Sequence, residues 1–136
     1  MLTRSFFIGS QKYGAYWTGD NVAAYEELQG SVYELLANSM AGMFFGGADI
    51  PGYQGVPTQD LYIKTYQLGI FYPFYRAHCS IDNTHREPWL QDPNVQDVIR
   101  ESVFLRYNLI HYLYTKFHEA AEEGVPIMRP MWLEYP

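Results

Sequence analysis

The chain has 136 residues and a mass of 15.8 kDa, with 48% hydrophobic and 18% aromatic residues, a composition that buries a core and excludes a disordered tail. Nine Lys and Arg against fifteen Asp and Glu give a formal charge of −6 with no basic run, which argues against a nucleic-acid partner. The single cysteine, Cys79, forms no internal disulfide, no Cys/His spacing matches a zinc or haem site, and no apolar stretch approaches the roughly 20 residues needed to span a membrane.

In chain order, Arg4 to Ile8 is a β-prone run ended by Gly9. Tyr13 to Thr18 is a second, closed by Gly19-Asp20-Asn21. The spacing of Tyr25, Leu28, Val32, Leu35 and Leu36 predicts a helix from Ala23 to Met40, with a break at Gly30-Ser31. Met43 to Phe45 follows as a third strand that runs into the glycine-rich loop Gly46 to Gly52. Thr58 caps a helix through Gly69, and Ile70 to Tyr75 returns as a fourth strand. Asp92-Pro93 starts one long helix whose apolar spacing persists to Gly124. Ile127 to Leu133 reads as the first strand of something else, so residues 1–124 are expected to form one unit and residues 125–136 the entrance to a β domain. Strands alternating with helices predict an α/β fold on a parallel sheet. Four strands and three helices are half of a (β/α)8 TIM barrel, which needs about 250 residues, so the chain reads as a piece of one.

In such folds the residues at strand C-termini line the active site. That position selects Asp20, Asp49 and His78, which follow the second, third and fourth expected strands, together with Arg4, which lies near the first. In Trp17-Thr18-Gly19-Asp20 the indole can desolvate the carboxyl and suit it to general acid work, or Asp20 can simply cap the following helix. Asp49 is a candidate catalyst or a turn residue, Arg4 a ligand or an ion-pair partner, and His78 a hydroxyl donor or a core imidazole. Trp17 and Tyr53 can stack on a sugar face or serve packing alone. No phosphate-binding loop, Gly-x-Ser-x-Gly elbow or helical zinc pair competes.

The segments RSFFIGSQKYGAYWTGDN, FFGGADIPGY, FYPFYRAH, REPW, LRYNLIHYLYT and PIMRPMWLEYP together resemble glycoside hydrolase family 31 along essentially the whole chain. The GSQ-x-YG-x-x-WTGDN form and the REPWL segment look most like its neutral α-glucosidase branch of the endoplasmic reticulum. The resemblance implies a retaining glycosidase that removes terminal α-linked glucose from oligosaccharides or N-glycans. It places the acid/base carboxyl on Asp20 and substrate binding on Arg4, Trp17, Asp49 and His78. Tyr53 falls where relatives usually have Phe in the wall of the same pocket, and Arg76 falls on the arginine of an R-x-H element that braces the loop. The resemblance further implies no metal or organic cofactor, no nucleic acid or membrane partner, a lumenal location and a non-catalytic β subunit.

Three departures accompany it. Pro51 stands where relatives usually have Gly and should stiffen the loop after Asp49, while His111 replaces a common proline and should straighten the long helix. The family's nucleophile, an aspartate in a W-x-D-M-N-E type motif, has no counterpart among these residues, so the chain alone is expected to be inactive. Two other readings stay open: a carbohydrate-binding piece that does not cleave, and a small intact hydrolase with Asp20 and Asp49 as its catalytic pair.

Overall fold

The computed structural model describes residues 1–136 as an α/β arrangement whose strands are all parallel. The elements are β1 (Leu2–Thr3), β2 (Ala15–Trp17), α1 (Tyr25–Met40), β3 (Gly46–Gly47), β4 (Ile50–Pro51), α2 (Gln59–Gly69), β5 (Ala77–His78), α3 (Pro93–Asn108), α4 (Ile110–Glu123) and α5 (Met131–Glu134). Strands β1-β2-β3 form one sheet and β4-β5 another, and an isolated bridge joins Val22 to Gln54. Tyr16, Leu35, Ile50, Tyr62, Tyr72 and Ile99 belong to the shared core between strands and helices.

Several elements are displaced from the sequence reading, each for a local reason. The first strand lies at Leu2–Thr3, not Arg4 to Ile8, because the chain leaves the sheet at Arg4 and turns through a short 3-10 segment, Ser10–Lys12, leaving Phe7 and Ile8 exposed. The third strand is the glycine pair Gly46–Gly47 itself, not Met43 to Phe45. A Cβ on Gly47 would sit 1.9 Å from the Phe74 carbonyl oxygen and one on Gly46 would sit 2.1 Å from the Tyr16 ring, so the close approach that forms this strand admits only glycine.

Ile70 to Tyr75 is a turn rather than a strand, and the fourth and fifth strands are Ile50–Pro51 and Ala77–His78. The guanidinium of Arg106 donates to the carbonyls of Ile70, Tyr72 and Pro73, at 2.6, 2.7 and 3.0 Å, and Pro73 has no N–H to offer a ladder. Pro51, expected in a loop, lies within β4 after a cis peptide bond.

Among the helices, α2 starts as expected, with the Thr58 hydroxyl accepting from the Leu61 N–H. Helix α1 runs through Gly30-Ser31 unbroken, since the Ser31 hydroxyl bonds to the Leu28 carbonyl and pairs with the buried Tyr72 hydroxyl. The long helix is two, interrupted at Leu109, whose N–H is shared between the Leu105 and Arg106 carbonyls, so the single run expected from Asp92-Pro93 to Gly124 is not formed. Gly124 ends α4. Beyond it, residues 131–134 form a helical turn and not a strand, because Arg129 and Glu134 pair at 2.5 Å across it.

Candidate active site

The C-terminal ends of the parallel strands carry every candidate residue. Arg4 follows β1, Trp17 ends β2 with Asp20 three residues on, Asp49 follows β3, Tyr53 follows β4, and His78 ends β5.

Side-chain contacts join most of these positions. The Asp20 carboxylate accepts from the Arg4 guanidinium, and the Arg4 guanidinium lies 5.2 Å from the centre of the Trp17 ring. Arg76 lies 5.6 Å from the same ring and donates to Asp49 Oδ1 at 2.5 Å. The Tyr53 and His78 rings are 5.5 Å apart and tilted by 34°. Asp20, Arg4, Trp17, Arg76 and Asp49 thus form one continuous chain of contacts, with Tyr53 and His78 as a second pair.

Environment separates the two carboxylates. The Asp49 side chain is 1% exposed, and burial pushes its carboxyl above the ordinary aspartate value. The hydrogen bond and charge of Arg76 oppose that rise, as does the charge of His78, while the charge of Asp20 adds to it. Asp20 itself is 37% exposed and turned to its guanidinium partner, so the desolvated pocket expected beside the indole is not formed by these residues. Nor does it cap α1, whose N-cap is Ala24 with no side-chain bond. His78 is exposed and so is no core imidazole.

Trp17 Nε1, Asp49 Oδ2 and Arg76 Nε are buried and meet no protein partner, so a donor, an acceptor and a charged donor of this network are unsatisfied within these residues. A cavity of about 750 Å³ is lined by His78, Tyr66, Tyr75 and residues between Cys79 and Trp89, and neither Asp20 nor Asp49 lines it. No three His, Cys, Asp or Glu side chains are grouped to hold a metal ion, and no helix is long and apolar enough to cross a membrane. The sequence reading treats Arg76 only as a brace. Its direct pairing with Asp49 follows from the register of β4 and β5, which sets Ile50 against Ala77 and so brings together the opposite charges just before them, a cue that needs both strands placed correctly.

The family description "Glycosyl hydrolases family 31 TIM-barrel domain" matches residues 1–116. The probable glucan 1,3-alpha-glucosidase of Oryza sativa subsp. japonica is 49% identical over the whole chain, which corresponds to 15% of that protein. Glucosidase 2 subunit alpha of Saccharomyces cerevisiae (strain ATCC 204508 / S288c) is 48% identical over the whole chain and 14% of its own length. Among solved structures, the ER glucosidase II heterodimeric complex of catalytic subunit and binding domain of the regulatory subunit superposes with a TM-score of 0.97 at 46% identity, covering 99% of this chain and 15% of that one. The chain therefore spans 14–15% of the length of these relatives. Matched by the family's barrel description over most of its length, the chain belongs to glycosyl hydrolases family 31.

Proposed function

We propose that residues 1–136 supply the acid/base half of a retaining α-glucosidase site, with Asp20 as the proton shuttle and Arg4, Trp17, Asp49, Tyr53 and His78 as substrate-binding residues. The observation that carries this reading is the network that joins Arg4, Trp17, Asp20 and Asp49, at the C-terminal ends of three adjacent parallel strands, through contacts that include Arg76 from the start of β5. Residues 1–124 are the C-terminal part of the catalytic barrel, in keeping with a family match over residues 1–116, and residues 125–136 lead into a following β domain.

Asp20 gives its proton to the departing glycosidic oxygen while an aspartate outside these 136 residues attacks the anomeric carbon and forms a glycosyl-enzyme. Water then attacks that intermediate and loses its proton to Asp20, restoring both carboxyl groups with retention. The two carboxyls must lie about 5–5.5 Å apart. Asp49 Oδ2 accepts from one sugar hydroxyl, and His78 and the Arg4 guanidinium donate to others, with bonds that strengthen as the ring flattens. The substrate class is terminal α-linked glucose on an oligosaccharide or N-glycan, the place of action the lumen of the endoplasmic reticulum, and the partner a regulatory β subunit. The relatives named glucosidase 2 subunit alpha and ER glucosidase II support these three assignments.

The test places residues 1–136 in the matching segment of the yeast relative. Asp20→Asn is expected to lower turnover of an α-glucoside with a poor leaving group by about 10²–10⁴-fold. Azide is expected to restore turnover of p-nitrophenyl α-glucoside, with α-glucosyl azide as product, because it needs no base to attack the intermediate. Unchanged turnover of Asp20→Asn, or a β-configured azide, would overturn the assignment. So would hydrolysis of p-nitrophenyl α-glucoside by residues 1–136 alone.

A further inference from the structure

Past β5 the chain from Cys79 to Glu87 adopts no regular helix or strand, so its polar groups must find partners elsewhere. Three of them converge on one neighbouring turn. The Ser80 N–H and the Asn83 side-chain amide both donate to the Tyr53 carbonyl, at 3.0 and 2.7 Å, and Arg86 Nη1 donates to the Gly52 carbonyl at 3.2 Å. The segment is itself anchored to α2, where the Tyr62 hydroxyl donates to the Arg86 carbonyl at 2.6 Å.

The opposite side of the same turn is held to the loop that bears Asp20. The Asn21 carbonyl accepts from the N–H groups of Tyr53 and Gln54 at 2.8 and 3.1 Å, and the Ala23 N–H donates to the Gln54 carbonyl at 2.8 Å. The turn presses close on that side. Gly52 has a φ of +128°, and a Cβ there would lie 2.6 Å from the backbone of Ala23. Backbone bonds alone fix that flank, whereas the other combines one backbone bond, from the Ser80 N–H, with two side chains that can be removed one at a time.

We infer that Asn83 and Arg86 are positioning residues which, by holding the Gly52 and Tyr53 carbonyls, set the spacing between the Tyr53 and His78 rings and so the affinity of the site for sugar. The inference rests on the proposed role of Tyr53 and His78 in substrate binding. Neither residue touches the acid, so proton transfer is untouched by their loss. Arg86 is a poor stabiliser in its own right, since its Nη2 is buried without a partner, which offsets what its bond to Gly52 contributes. Its effect is local: it fixes the carbonyl next to the aromatic residue.

The experiment uses the same segment-swapped enzyme and compares Asn83→Ala, Arg86→Ala, Arg86→Lys and Tyr53→Ala. With p-nitrophenyl α-glucoside, Asn83→Ala and Arg86→Ala are expected to raise KM by about tenfold while kcat and the pH profile stay as in the parent. Arg86→Lys, which keeps a donor for the Gly52 carbonyl, is expected to restore most of the loss. Hydrogen exchange at the Tyr53 and Gln54 amides should quicken in the two alanine variants and not in Arg86→Lys. A KM that rises in Tyr53→Ala but not in Asn83→Ala or Arg86→Ala overturns the inference and leaves the proposed site standing. A KM unmoved even in Tyr53→Ala overturns both, and a fall in kcat matching the loss in kcat/KM means that the segment from Cys79 to Glu87 acts on the chemistry and overturns the inference as well.

Discussion

Arg4 and Asp20, sixteen residues apart in the chain, meet through a guanidinium–carboxylate pair at the ends of neighbouring strands β1 and β2. Half of the Arg4 side chain and over a third of the Asp20 side chain remain exposed. A pair so open to solvent contributes about 0–1 kcal/mol to folding, so stability is a poor account of why it is held beside Trp17. Arg4→Gln in the segment-swapped enzyme is therefore expected to leave the thermal unfolding midpoint nearly unchanged while lowering kcat/KM by about 100-fold. Arg4→Lys should recover only part of the activity, since an ammonium lacks the planar fork. A drop in the unfolding midpoint that accounts for the lost activity would reassign Arg4 to the scaffold.

Asp49 and Arg76 make the contrasting case. Burial raises the Asp49 carboxyl above its ordinary value despite the guanidinium 2.5 Å away. An acid raised on folding binds its proton more tightly in the folded state, so its contribution to stability is complete below its unfolded value of about 3.9 and is lost as pH climbs through the folded value. Asn at this position cannot titrate. The difference in unfolding midpoint between the parent and Asp49→Asn is accordingly expected to shrink, or to turn in favour of the variant, as pH rises from about 4. Removing the guanidinium with Arg76→Met should move the Asp49 titration higher still, as followed by carbon-13 NMR of its carboxyl group. A midpoint difference that grows in the parent's favour with rising pH would mean that the ion pair outweighs burial.

The sequence carried the helices, and the places of most candidate residues, better than the strands. Thr58, Pro93 and Gly124 are local signals, and each acts where its chemistry alone predicts. The strands are only two or three residues long, too short for alternation to register, and their places depend on distant partners. Gly46–Gly47 pairs because Tyr16 and Phe74 press against it, and Ile70 to Tyr75 fails to pair because Arg106, some thirty residues later, takes its carbonyls. Leu109 interrupts the long helix while keeping nearly helical dihedrals, so the apolar spacing passes over it. The places of Asp20, Asp49 and His78 remained legible because each stands within three residues of a strand's end, whereas Arg4, read as the first residue of a strand, follows one instead. Asn83 and Arg86 carry no such cue, since they act through the carbonyls of Gly52 and Tyr53.

Two glycines test how far packing overrides local preference. Gly30 sits inside α1, and a methyl group added there would meet no atom within 4 Å, so Gly30→Ala should stabilise the fold by about 0.5–1 kcal/mol by removing backbone freedom from the unfolded chain. A methyl group on Gly47 would meet the Phe74 carbonyl oxygen at 1.9 Å, backbone that can yield only by parting β3 from the turn after α2. Gly47→Ala is expected to cost about 1–3 kcal/mol or more. Thermal unfolding midpoints should rank Gly30→Ala above the parent and Gly47→Ala well below it. Equal midpoints for the two variants would show that the strand has room that the packing does not reveal.

Isolated residues 1–136 should associate in solution. Phe7 and Ile8 are 80% and 88% exposed on the loop after β1, and Tyr107, Tyr112 and Tyr114 project from α3 and α4. Strands β1 and β5 each offer one unpaired edge, and unpaired edges next to apolar side chains are templates for pairing with further copies. Size-exclusion chromatography of the chain alone is expected to give species larger than 15.8 kDa. Replacing Phe7 and Ile8 with serine should shift the profile toward the monomer, because those two side chains lie beside the β1 edge and take no part in the core. A parent chain that elutes as a single monomer and melts cooperatively would mean that these surfaces are tolerated in water, and that neither the edges nor the aromatic side chains drive association.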